Sequence, residues 1–164
     1  TTLFRSLKYP QINVNHANKS GETALIWASF KGHTQCIELL LKYQKLNVNH
    51  VNKHGWTALM HASSWSKREC VELLLKHPKI NVNHVNIVGD TALIKASRWG
   101  EIECIELLLK HPQINVNHAN NEGQSALIIA SGKGETECVE LLLKHPNIDP
   151  LQPDIYGTCY FDLL

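Results

Sequence analysis

One arrangement of apolar and polar positions recurs along this chain. The string Asn-Val-Asn-His begins at Asn13, Asn47, Asn81 and Asn115, a step of 34 residues each time. Gly21, Gly55, Gly89, Gly123 and Gly157 keep that step. So do Cys36, Cys70, Cys104 and Cys138, and the Glu-Leu-Leu-Leu-Lys strings beginning at Glu38, Glu72, Glu106 and Glu140. A fixed period of this length marks a repeat architecture, in which each unit buries its apolar face only against its neighbours.

Each period predicts turn, helix, turn, helix. In the second, Asn52 to Gly55 form a turn in which Gly55 is free to take positive φ. Thr57 caps a short helix from Ala58 to about Trp65, its hydroxyl accepting an orphan N–H. A second helix runs from about Lys67 to Lys76 and is stopped by His77-Pro78, because the residue before proline is pushed out of the α region. In the first unit this second helix presents Cys36, Ile37, Leu39, Leu40 and Leu41 on several sides, leaving Glu38 and Lys42 for water. A helix apolar nearly all round must be covered on several faces, here by the units before and after it. The pairs Glu38–Lys42, Glu72–Lys76, Glu106–Lys110 and Glu140–Lys144 lie at i,i+4 in the favourable order and read as a solvated outer edge.

The run Thr23-Ala24-Leu25-Ile26-Trp27-Ala28-Ser29, followed by Gly32-His33 and Cys36-Ile37-Glu38-Leu39-Leu40, resembles the ankyrin repeat, a β-turn and two helices with a Thr-Pro-Leu-His-x-Ala signature. The resemblance implies an all-α solenoid of helix-turn-helix units joined by β-turn fingers. It divides 1–164, as a single array, into a partial unit or N-cap at 1–17, full units at 18–51, 52–85, 86–119 and 120–153, and a partial unit or C-cap at 154–164. The signature's proline is replaced by Ala24, Ala58, Ala92 and Ala126, and its histidine by Ile26, Met60, Ile94 and Ile128. A drier seam then takes the place of the threonine–histidine bonding often found in the family. Ankyrin arrays bind other proteins in a concave groove lined by turn tips and first-helix faces, so the implied function is non-catalytic recognition of a protein or peptide. The resemblance also implies hydroxylation at the asparagines matching Asn15, Asn49, Asn83 and Asn117, although the family's acidic residue two positions earlier is asparagine here.

Comparing the units with one another separates what the fold demands from what it leaves free. The turn glycine, the Ala-Leu of the first helix, the cysteine and the leucine triplet are constant. Divergent columns lie in the turn (Lys19/Lys53/Ile87/Asn121, Ser20/His54/Val88/Glu122 and Glu22/Trp56/Asp90/Gln124). Others lie on one face of the first helix: Trp27/His61/Lys95/Ile129, Phe30/Ser64/Arg98/Gly132 and Lys31/Trp65/Trp99/Lys133. All 4 tryptophans fall in these columns. Trp65 and Trp99 share theirs with lysines, which are not buried cheaply, and tryptophan is enriched where partners dock. We therefore expect Trp56, Trp65 and Trp99 to be apolar anchors, with Trp65 and Trp99 side by side on adjacent helices about 8–10 Å apart. Lys95 and Arg98 are expected to pair carboxylates of a partner rich in acidic and apolar residues. Trp27, Phe30, Lys53 and His61 form a second rank. Two other roles remain open: a spacer holding flanking domains apart, and a binder of single-stranded nucleic acid.

Composition narrows the rest. The chain has 164 residues, 43% of them apolar, enough for a core. Its 16 basic and 15 acidic residues give a net charge of +1, far from the excess of a general nucleic-acid or membrane-surface binder. No apolar run approaches a membrane span. Thr1 in place of Met, with Met60 the sole methionine, leads us to expect a piece of a longer protein. Most of the 10 histidines sit in repeat ladders a full unit apart, too far for one metal ion. The 4 cysteines in the ladder are equally too separated for disulfides and read as small buried hydrophobes, which points to a reducing, intracellular compartment. Ser131-Gly132-Lys133-Gly134 lacks the spacing of a phosphate loop, and no hydrolase or zinc-protease motif occurs, so no catalysis, cofactor or metal is expected.

Overall fold

The computed structural model describes residues 12–157. Most of the expected partial unit at 1–17, and Cys159 with the aromatic residues beyond it, lie outside the described residues. Among the described residues the elements are α1 (Ala24–Lys31), α2 (Thr34–Leu40), α3 (Ala58–Ser64), α4 (Arg68–Leu75), α5 (Ala92–Arg98), α6 (Ile102–Leu109), α7 (Ala126–Lys133) and α8 (Thr136–Leu143). Isolated bridges pair Ala17 with Thr23 and Ala119 with Ser125, but no strand forms among the described residues. The odd-numbered helices contact one another in one layer and the even-numbered helices in a second.

Each helix spans only 7 or 8 residues, too short to persist alone in water. Their stability comes from capping and from contact across units. Thr23, Thr57 and Thr91 accept the backbone N–H three residues on, from Ile26 (3.3 Å), Met60 (3.2 Å) and Ile94 (3.3 Å). Ser125 does the same for Ile128 at 3.4 Å. The seam between layers is aliphatic, with Leu25, Leu59, Met60, Leu74, Leu93, Ile94, Ile105, Leu108, Leu127 and Leu142 fully buried. The replacement of the signature histidine by Ile and Met is thus part of a dry core.

The turn between paired helices explains where two tryptophans stand. α1 and α7 end on Gly32 and Gly134, which take left-handed φ of 78° and 75°. α3 and α5 stop one residue sooner, leaving Trp65 and Trp99 as C-caps off the regular helix. The left-handed position then falls on Gly100 and, in the second unit, on Ser66 with φ 53°.

Asparagine organises the fingers. The Oδ1 atoms of Asn18, Asn52, Asn86 and Asn120 each accept the backbone N–H groups two and four residues on, at 2.9–3.1 Å. A second asparagine column ties successive units together. Asn15, Asn49 and Asn83 donate from Nδ2 to the carbonyls of Lys45 (2.7 Å), Lys79 (2.7 Å) and Gln113 (2.6 Å), and Asn117 donates to Asn147 (2.7 Å). Their Oδ1 atoms accept from the N–H groups of Asn47, Asn81, Asn115 and Asp149 at 2.7–2.8 Å. The fingertips also cross-link, through Lys53 N to Ser20 O (3.0 Å), Ile87 N to His54 O (3.3 Å), Asn121 N to Val88 O (3.1 Å) and Ile155 N to Glu122 O (3.2 Å).

Candidate recognition surface

The divergent first-helix columns converge on a belt of rings. Phe30 on α1 packs edge-on against Trp27 (centroids 5.9 Å apart), against His61 on α3 (5.8 Å) and against Trp65 at the end of α3 (5.5 Å). His61 in turn meets Trp56 at 4.9 Å. The edge-to-face contacts of Phe30 suit the ring quadrupole. Trp27, Trp65 and Trp99 remain 44%, 52% and 61% exposed, whereas Trp56 is half-buried against the core. Trp65 packs back onto Phe30 of the preceding unit.

Cations border the belt. Lys31 Nζ lies 4.9 Å from the Phe30 centroid and 5.7 Å from that of Trp27. Lys95 Nζ lies 4.4 Å from Trp56. Lys95 was expected to offer a free charge to a partner carboxylate, but it is buried and paired with Asp90 at 2.9 Å. Arg98 Nη2 reaches the same carboxylate at 3.3 Å, and Asn120 Nδ2 donates to it at 2.9 Å. Asp90 is only 1% exposed, so its charge has to be matched inside the protein. Sequence columns could not show this, because Asp90 and Lys95 diverge from unit to unit yet serve each other. Lys53, by contrast, is exposed at its fingertip.

The surroundings of His61 disfavour its charged form. Asn52 Nδ2 donates to its Nε2 (3.4 Å), and its Nδ1 is buried with no partner. Burial lowers its pKa below the ordinary histidine value of 6.5, and the Glu22 charge offsets this in part. The ladder histidines are structural. His50 and His118 donate from Nε2 to the carbonyls of Gly21 (3.0 Å) and Gly89 (2.9 Å) in the preceding finger. His77, His111 and His145 accept, at Nδ1, the N–H two residues on, closing the turn after the second helix. Among the described residues no three His, Cys, Asp or Glu side chains gather as metal ligands.

The cysteine column divides. Cys70, Cys104 and Cys138 are buried, and burial raises their thiols, that of Cys104 to about 12 and that of Cys138 to about 11. Cys36 was expected to be buried with them but is exposed, beside Leu39 and Tyr43 in an apolar hollow at the first unit's outer face. Along α4, Lys76 closes on Glu72 at 2.8 Å as the i,i+4 spacing anticipates. The sequence reading missed two things. One is the double engagement of the asparagine ladder. The other is the apolar fingertip Ile87–Val88, whose signal lay in the divergent turn columns.

Residues 1–86 and 78–154 match a family model described as ankyrin repeats in three copies. The chain belongs to the ankyrin repeat family. Curated proteins yielded no match to it. Ankyrin repeats are in general protein–protein interaction modules without catalytic activity. No helix among the described residues is long and apolar enough to cross a membrane.

Proposed function

We propose that residues 1–164 act as a single ankyrin array, with the four full units set out above, that recognises a segment of another protein. Trp65, Trp99 and Trp27 are its apolar anchors. Trp56, Phe30 and His61 make the floor between them. Lys53 and the outward edge of Arg98 attract acidic side chains, while Lys95, anchored by Asp90, lies against the Trp56 ring. Neither cofactor nor catalysis is involved, and the buried thiols suit an intracellular, reducing setting.

The observation that carries this reading is the exposure of three indole rings, 44–61%, in columns that a stacked array fills equally well with lysine or isoleucine. Large rings left in water are costly to a monomer and are typical anchors of a docked partner. The test is quantitative capture from cell extract by the native chain and by Trp65→Ala with Trp99→Ala, with matched circular dichroism. A partner lost at least about tenfold by the substituted form supports the assignment, since anchor truncations typically cost 2 kcal/mol or more. Equal retention by both forms defeats it and leaves the spacer reading standing.

A further inference from the structure

His61 is the ring of the belt that can change its charge near neutral pH. The other units fill its column with Trp27, Lys95 and Ile129, so the stack does not require a histidine there. Its position suits the neutral ring. Asn52 Oδ1 accepts from the N–H groups of His54 (2.9 Å) and Trp56 (3.0 Å), which fixes the amide and aims Nδ2 at His61 Nε2 (3.4 Å). Nε2 therefore accepts, and the ring proton sits on Nδ1, which is buried without a partner. A second proton, on Nε2, sets donor against donor.

The surroundings give a charged ring little in return. Aromatic faces attract cations, but both rings that touch His61 already carry one. Lys31 Nζ from α1 lies 4.9 Å from the Phe30 centroid, and Lys95 Nζ from α5 lies 4.4 Å from that of Trp56. Asp90 of the third finger is matched by Lys95 and Arg98. Glu22 of the first finger favours the charged ring, yet it already accepts from Asn18 Nδ2 at 2.9 Å. Lys53 and His54, on the same finger as Asn52, are exposed at its tip. His61 is itself only half-buried, so a change of rotamer carries the ring to water without unwinding α3. That move removes one of the edges that hold Phe30, on which Trp65 packs, and takes from Trp56 its ring neighbour.

We propose that His61 is a proton-operated latch of the aromatic belt. Neutral, it closes the floor between Phe30 and Trp56. On taking a proton at Nε2 it swings out to water, opens that floor and loosens the hold on a partner segment. The bearing on recognition rests on the reading of the belt as the partner surface. The latch itself is measured on the chain alone, so its failure is separate from failure of that reading, which the capture experiment with Trp65→Ala and Trp99→Ala tests.

The chain is titrated from about pH 8 to about pH 5, across the range in which histidine changes charge. His61 is followed by its imidazole C–H signals in NMR, and the indoles by acrylamide quenching of their fluorescence, with far-UV circular dichroism to show that the helices persist. Acrylamide access should rise as pH falls and share the His61 midpoint, below the ordinary value of 6.5. His61→Phe keeps a ring in place without a titrating nitrogen and should abolish the rise. Glu22→Gln should move both midpoints together to lower pH by a few tenths of a unit, because it removes the charge that favours the protonated ring. Should the Phe variant not fold, agreement of the two curves in the native chain and in Glu22→Gln decides. An access curve that does not follow the His61 signals, or that survives in His61→Phe, overturns the proposal, as does a His61 midpoint at or above 6.5.

Discussion

The asparagine ladder and the aromatic belt run through the same stacked units and obey opposite rules. Asn15, Asn49, Asn83 and Asn117 occur in every unit and make the same two bonds each time, a donor bond to a carbonyl and an acceptor bond from an N–H of the next unit. Trp27, His61, Lys95 and Ile129 also share a column, yet each does something different. The first is half exposed, the second is a half-buried ring whose pKa burial lowers, the third is an internal counter-ion and the fourth is core. A bond that the stack requires at every interface leaves a constant column. Freedom from that demand leaves a column open to partner contacts or to local repairs.

Asp90 is the place where this contrast is most easily broken, because it lies in a variable column but behaves as structure. Asp90→Ala would strand Lys95 without its counter-ion, and a loss of about 3 kcal/mol is expected in urea unfolding, near the lower end for a broken buried pair. Little or no change would mean that Lys95 reaches water and that the column is as free as its variation implies. Asn83→Ala tests the other side. Removal of two short bonds should cost about 2 kcal/mol, at roughly 1 kcal/mol per bond. The same substitution at Asn49 should cost a similar amount, because both donate to a carbonyl and accept from an N–H with matching lengths.

Ser66 sharpens the comparison from within a nearly constant column. It occupies the left-handed position taken by glycine in the other three turns. Ser66→Gly should raise stability by about 1 kcal/mol by relieving that conformation, read as a higher urea midpoint at unchanged slope. His61 supplies the smallest effect, and its sign is definite. Its folded pKa lies below 6.5, so the unfolded chain binds more protons in that window. Stability is therefore fully present above pH 6.5 and falls as the pH drops towards the folded value. Asn52 cannot rotate to relieve the protonated ring, since its Oδ1 already holds the N–H groups of His54 and Trp56. His61→Phe should flatten that part of the pH–stability profile, and a profile unchanged by the substitution would show that another group is responsible.

The array, its period, the threonine caps and the exposure of Trp65 and Trp99 were legible in the amino-acid order, whereas Trp56 proved half-buried and Trp27 exposed. Each depends on local chemistry repeated at a constant step. A hydroxyl three residues before an orphan N–H, or a glycine at a turn, acts the same way wherever it stands. Tertiary structure alone decided how columns from different units meet. It turned Lys95 and Arg98 inward onto Asp90, placed Trp65 against Phe30, and left Cys36 in the open. Those outcomes rest on distances across unit boundaries and on which charges lose their water. Neither quantity is written in the spacing of residues along one strand of sequence, because burial is a property of the neighbours that close over a side chain.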